Sequence, residues 1–274
     1  MLPTPDTSHV PYSRVYEPAE DSFLLLDTLS SASETAFLTS RFNNTYQSAF
    51  TNSSTPAGSF TPPLVLEVGP GSGVVIAFLT AQANAIFGTP QILTAGVDVS
   101  PFACAATAQT AAKACREDSP SGPASAGRFL DAVQGDLVSP FRSGVVDVLV
   151  FNPPYVPTEE LPDARKLVGI KNIKTQKTTF DEDSHLLALT YAGGRDGMET
   201  TDRLIETLPG VLSDRGCAYI LLCAGNKPEE VKERIRTMES GIERRPWKAE
   251  TVGTSGKQAG WEKLQIVRIW RDLE

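Results

Sequence analysis

Short apolar runs alternate along this chain with segments of helical length, and that alternation leaves few folds open. "LVLEVG" ends at Gly69, "ILTAGVDV" carries Asp98, "RFLDAVQGD" ends at Asp136 and "VVDVLVFN" ends at Asn152. Among them lie "VVIAFLTAQANAIF" and the alanine-rich "PFACAATAQTAAKAC", whose Pro101 suits a first helical turn. Farther on, "METTDRLIETLPGVL" and "KPEEVKERIRTM" fit helices, while "GCAYILLC" and "KLQIVRIW" fit strands. The expectation is an α/β fold with a doubly wound, mostly parallel sheet covered by helices on both faces. Strands of such a sheet end along one rim, so Gly71, Asp98, Asp136 and Asn152 are expected to surround one crevice.

At 274 residues and 41% hydrophobic, the chain can bury one large core, and a single domain over 1–274 is expected. Residues 16–30, containing "EPAEDSFLLLDTL", read as a helix. The stretch from about 31 to 62, rich in Ser, Thr and Asn, reads as a flexible surface insertion, and about 156–183 as a long loop. A net charge of -8 argues against nucleic acid as a partner, because duplex binders present a basic field. Cys104, Cys115, Cys217 and Cys223 are scattered, and the histidines are His9 and His185, so no protein-built metal site is expected. The first twenty residues contain no apolar h-region and no stretch is long enough to span a bilayer. A cytoplasmic location, with the nucleus as a second compartment, is the expectation, with no membrane partner.

"LEVGPGSGVV" places Gly69, Gly71 and Gly73 where a strand must turn tightly into a helix, and without Cβ atoms the backbone can approach a ligand closely. Asp98, followed by Val99, stands where such folds carry an acid for ribose hydroxyls, although it also suits a cap for the helix after Pro101. Asp136 and Leu137 follow the third strand. Glu67 lies inside the first strand, where a lone carboxylate is costly; it either binds a cationic part of a cofactor or makes a structural hydrogen bond.

The fourth strand leaves through "NPPY", Asn152 to Tyr155. A conjugated nitrogen lacks an available lone pair, and a site helps by accepting both N–H hydrogens, which opposes planarity. The Asn152 side-chain oxygen and the Pro153 carbonyl can do so if Pro153 and Pro154 stiffen the turn, while Tyr155 offers a flat face to a planar group.

"FNPPYVP" after "LEVGPGSG" and "GVDVS" resembles class I S-adenosylmethionine-dependent methyltransferases acting on a planar nitrogen. More narrowly, "YEPAEDSFLLLDTL", "YAGGRDGMETTDRLI" and "SGKQAGWEKLQIVRIW" resemble the eukaryotic HemK-like glutamine methyltransferases of the class 1 translation termination factor, over nearly the whole chain. The resemblance implies a seven-stranded Rossmann-like sheet and S-adenosylmethionine as cofactor, with S-adenosylhomocysteine as product. It implies N5-methylation of the glutamine in a GGQ loop. It also implies Tyr16, Glu20, Asp21 and Ser22 at the cofactor or its entrance, Glu67, Gly69 and Gly71 at its methionine end, Asp98 at the ribose and Asp136 with Leu137 at the adenine. Asn152 to Tyr155 would hold the acceptor amide. The implied partners are a small zinc-binding activator subunit and the termination factor, alone or with its GTPase. An exposed edge at 128–135, carrying Phe129, Leu130 and Val133, is where the activator is expected. The competing readings are an N6-adenine nucleic-acid methyltransferase, protein lysine methylation as a secondary activity, an idle scaffold and a dinucleotide oxidoreductase.

Overall fold

The computed structural model describes residues 2–43, 61–116, 123–163, 179–239, 245–256 and 263–273. Among these, seven strands form one sheet: β1 (Leu64–Val68), β2 (Leu93–Asp98), β3 (Arg128–Gln134), β4 (Val146–Phe151), β5 (Leu212–Cys223), β6 (Lys248–Thr254) and β7 (Leu264–Trp270). Their order is β3-β2-β1-β4-β5-β7-β6, with β7 antiparallel to both neighbours and the other pairings parallel. The order reverses at β1 and β4, which are direct neighbours although helices and two strands separate them in sequence. A crevice opens at the carboxyl ends of strands at such a switch point.

Alternate residues of each strand serve opposite layers. Val65, Val148, Val150, Tyr219, Leu221 and Ile266 pack toward α1 (Glu20–Leu29), α2 (Ala32–Phe42), α3 (Val74–Ala81) and α4 (Ala83–Phe87). Leu66, Val68, Leu149, Phe151, Ile220 and Ile269 pack on the other face, toward α7 (Glu199–Val211) and α8 (Pro228–Arg236). Two further helices complete the layers: α5 (Pro101–Ala114) follows β2, and α6 (Phe180–Tyr191) follows the long loop.

Three expectations need correction. The stretch after residue 31 does not begin as a loop: Ala32–Phe42 is a helix whose N-cap Ser31 accepts from the Glu34 amide. Two of its charged residues, Glu34 and Arg41, are buried and paired. Glu34 accepts from Tyr219 and Arg268 at 2.8 Å, and Arg41 donates to the Arg215 and Arg271 carbonyls at 2.5 and 2.6 Å. The rest of the expected insertion, 44–60, lies outside the described residues. The loop expected over 156–183 ends early, because Thr179 and Glu182 form a capping box that starts α6 at Phe180; residues 164–178 lie outside the described residues. The single helix expected over "VVIAFLTAQANAIF" is two, broken at Gln82.

Candidate active site

One cavity of about 340 Å³ sits over the switch point, within the range of ligand pockets. Its walls include Tyr16, Asp21, Ser22, Glu67, Gly69, Gly71, Asp98, Val99, Asp136, Leu137 and Asn152 to Tyr155. Two residues expected there lie elsewhere. Glu20 is solvent-exposed on the first turn of α1 and lies outside the walls. Gly73 is turned toward α5, where a Cβ would come within 2.6 Å of the Thr107 backbone; it lets the helix pack rather than a ligand approach.

The glycine turn after β1 runs through left-handed backbone, with φ of +61° at Gly69, +54° at Gly71 and +78° at Gly73. Larger residues are strained in that region, so the tight reversal requires glycine. The turn also organises Asp98. The Gly71 amide donates to Asp98 Oδ2 at 3.2 Å and the Ser100 amide to Oδ1 at 2.8 Å. Ser100, not Asp98, caps α5 through the Ala103 amide. Burial pushes the Asp98 carboxyl up to about 6, with both amides opposing the shift. Glu67 is buried to 2% exposure, and its Oε2 accepts from the Ile76 amide at 2.8 Å, in the first turn of α3. Burial drives its carboxyl up to about 8 despite that bond. Both readings of Glu67 therefore meet at one residue: it satisfies a helix terminus and lines the cavity.

Asn152 follows β4 and is oriented by the N-terminal segment, 131 residues away in sequence. Its Nδ2 donates to Asp21 Oδ2 at 3.0 Å, and the same oxygen accepts from the Tyr16 hydroxyl at 2.9 Å. Burial and then the Asp21 charge raise the Tyr16 hydroxyl above its ordinary value, so it stays protonated and donates. The Asn152 Oδ1 is shielded from water and has no partner among the described residues. Behind the turn, the segment after α6 presses on its backbone. Gly197, at φ +68°, packs against the Tyr155 carbonyl, and a Cβ on Gly193 would come within 2.5 Å of the Pro154 carbonyl. Asn226, 3% exposed, donates from Nδ2 to the Asp196 carbonyl at 3.0 Å and the Tyr155 carbonyl at 3.4 Å, and accepts from the Cys223 amide at 2.8 Å.

Leu137 adopts φ +50°, a strained conformation for leucine. Asp136 accepts from Arg203 Nη2 at 2.5 Å in a half-exposed ion pair. Arg203 is a wall residue that sequence reasoning missed, as are Arg14, Leu161, Pro162 and Tyr191. A helical pattern over 199–211 was legible, but nothing in it says which face meets the cavity.

No family model matches the chain. It is 34% identical to "Methyltransferase HEMK2" of Mus musculus, over 98% of this chain and 96% of that protein. The human protein of the same name is also 34% identical, over 97% and 95%. "eRF1 methyltransferase catalytic subunit mtq2" of Schizosaccharomyces pombe is 31% identical, over 99% and 96%. Likeness over the full length of relatives at this identity, with the glycine turn, the acids and the NPPY turn on one cavity, fixes the assignment: the chain belongs to the eukaryotic HemK-like family of S-adenosylmethionine-dependent methyltransferases.

Proposed function

We propose that this chain transfers the methyl group of S-adenosylmethionine to the side-chain amide nitrogen of the glutamine in the GGQ loop of the class 1 translation termination factor. The observation that carries the reading is the Asn152 carboxamide: its N–H is committed to Asp21, and its oxygen keeps an unused acceptor. A shielded, unpaired carbonyl oxygen costs about 1–3 kcal/mol, which an N–H brought by a substrate relieves. The S. pombe relative, described as an eRF1 methyltransferase, supports the choice of protein substrate.

The walls fit the cofactor in size and in donor set. Glu67 suits the cationic methionine end. Asp98, held by two amides, keeps lone pairs for ribose hydroxyls. Asp136 and Leu137 suit the adenine, and the left-handed bend at Leu137 is strain of the kind found at ligand sites. Bound S-adenosylmethionine supplies an electrophilic methyl on a sulfonium. Asn152 Oδ1 and the Pro153 carbonyl accept the two hydrogens of the amide, so its nitrogen pair is drawn out of conjugation and toward the methyl. Tyr155 packs against the flat amide, and the rigid turn keeps the acceptors in place before substrate arrives.

The small zinc-binding activator is assigned to the free edge of β3. That strand ends the sheet, with Leu130 53% and Val133 37% exposed, and a partner strand would cover them. The termination factor, alone or with its GTPase, is then presented at the cavity.

Mass spectrometry of the termination factor after incubation with labelled cofactor tests the reaction. Asn152→Ala is expected to lower turnover at least about a hundredfold, the scale of one preorganised polar contact, while still binding cofactor. Near-normal turnover by that variant, or label found in nucleic acid in place of protein, would refute the reading.

A further inference from the structure

We infer that Asp21 is a positioning residue whose charge fixes which way round the Asn152 carboxamide faces, leaving Oδ1 and not Nδ2 to the acceptor amide. The inference rests on the proposed role of Asn152 and goes beyond it, because it gives Asp21 a role exercised through Asn152.

Asp21 lies 131 residues from Asn152, is 3% exposed and accepts hydrogen bonds from Tyr16, Ser22 and Asn152. Its Oδ1 accepts from the Ser22 amide at 2.6 Å and the Ser22 hydroxyl at 3.2 Å. Its Oδ2 accepts from the Tyr16 hydroxyl at 2.9 Å and from Asn152 Nδ2 at 3.0 Å. An ionised carboxylate only accepts, so a flipped Asn152 would set oxygen against oxygen. That repulsion selects one of two carboxamide orientations that are nearly equal in shape. The selected one leaves Oδ1 without a protein partner. Reversal would present N–H to a substrate N–H, which can neither hold the amide nor draw out its lone pair.

Replacing the carboxylate by its isostere reverses this logic. In Asp21→Asn, the Ser22 amide at 2.6 Å claims the new side-chain oxygen, so the new NH₂ falls opposite Asn152. Asn152 then turns its oxygen inward and its NH₂ outward. In Asn152→Asp, two carboxylates face each other at the former 3.0 Å contact. The double exchange, D21N with N152D, restores a donor–acceptor pair and again leaves an oxygen for the substrate.

The test measures kcat and KM for the termination factor in the two single variants, the exchange and N152A, with cofactor affinity by calorimetry and melting temperature for each. Both single variants are expected to lose kcat on the order of 100-fold, the scale of one preorganised contact, with KM changed less. The exchange is expected to recover at least about tenfold over either single variant. A residue that merely stabilised the fold or held cofactor would give losses that add, and additive losses overturn the inference. Should D21N fail to fold, N152D against the exchange makes the same comparison. Normal turnover in D21N beside an inactive N152A overturns this inference alone. Retained turnover in N152A overturns the reading beneath it, and this one with it.

Discussion

Glu67→Gln should make the cofactor-free protein more stable and leave it unable to hold its cofactor. Glu67 is buried at 2% exposure, and burial lifts its carboxyl from an ordinary 4.5 to about 8. The folded state thus holds the proton more tightly than the unfolded chain. Its contribution to stability is full below about pH 4.5 and declines as pH rises toward 8, since the unfolded chain ionises there first. With the carboxyl lifted from 4.5 to about 8, the carboxylate costs the fold about 4 kcal/mol at pH 8. Glutamine keeps an oxygen for the Ile76 amide but carries no charge to desolvate. Thermal melts of both proteins without cofactor should coincide near pH 4.5 and diverge by on the order of 10 °C at pH 8, with E67Q the more stable. Calorimetry at pH 8 should show cofactor binding lost. A variant that melts below the wild type at pH 8, or a gap that does not change with pH, refutes the burial argument. Unchanged cofactor affinity refutes the ligand role.

Two further predictions concern the supports of the site. Gly197→Ala puts a Cβ against the Tyr155 carbonyl at a left-handed position, and turnover should fall about tenfold or more, the scale of a small displacement of reacting groups. Gly210→Ala, with open space around its Cβ, should leave turnover unchanged, and equal activity of the two variants would sink the bracing role. Leu130→Lys with Val133→Lys, on the exposed face of β3, should weaken co-purification of the activator at least about tenfold and make the isolated chain more soluble. Undiminished assembly would place the partner elsewhere.

β1, β2 and β4 were legible because burial on both faces writes itself as a largely apolar run. All six residues of β4 are buried, and "VVDVLVFN" reads as nothing else. β6 was missed because "KAETVGT" lies at the other edge of the sheet, with a mixed burial pattern and no apolar alternation. α2 was missed because its buried polar residues are matched by partners more than 170 positions away, and pairing at that distance leaves no local trace. The site divides in the same way. Its glycines and acids announce themselves through turn geometry after each strand. The Asp21 contact with Asn152 does not, because "EPAED" reads as a helix start and nothing local names the amide it holds.

What separates an active enzyme from an idle chain of the same fold is where the structure carries its costs. Glu67 sits ionisable in the core, Leu137 holds a left-handed bend, and Asn152 Oδ1 lacks a partner; all three residues line one cavity. Among the shielded unpaired side-chain atoms of the described residues, Asn152 Oδ1 is the single carbonyl-type acceptor. Each cost is of order one to a few kcal/mol, and a marginally stable domain accumulates such terms only where something offsets them. Packing offers no offset at these positions, since glutamine at 67 or glycine at 137 would relieve the strain and keep the fold. In the proposed reaction a ligand would: a cationic group for Glu67, a base for the bend at Leu137 and an N–H donor for Asn152. The three demands differ in chemistry, and one cofactor with one amide would meet them all, which an idle scaffold has no need to do.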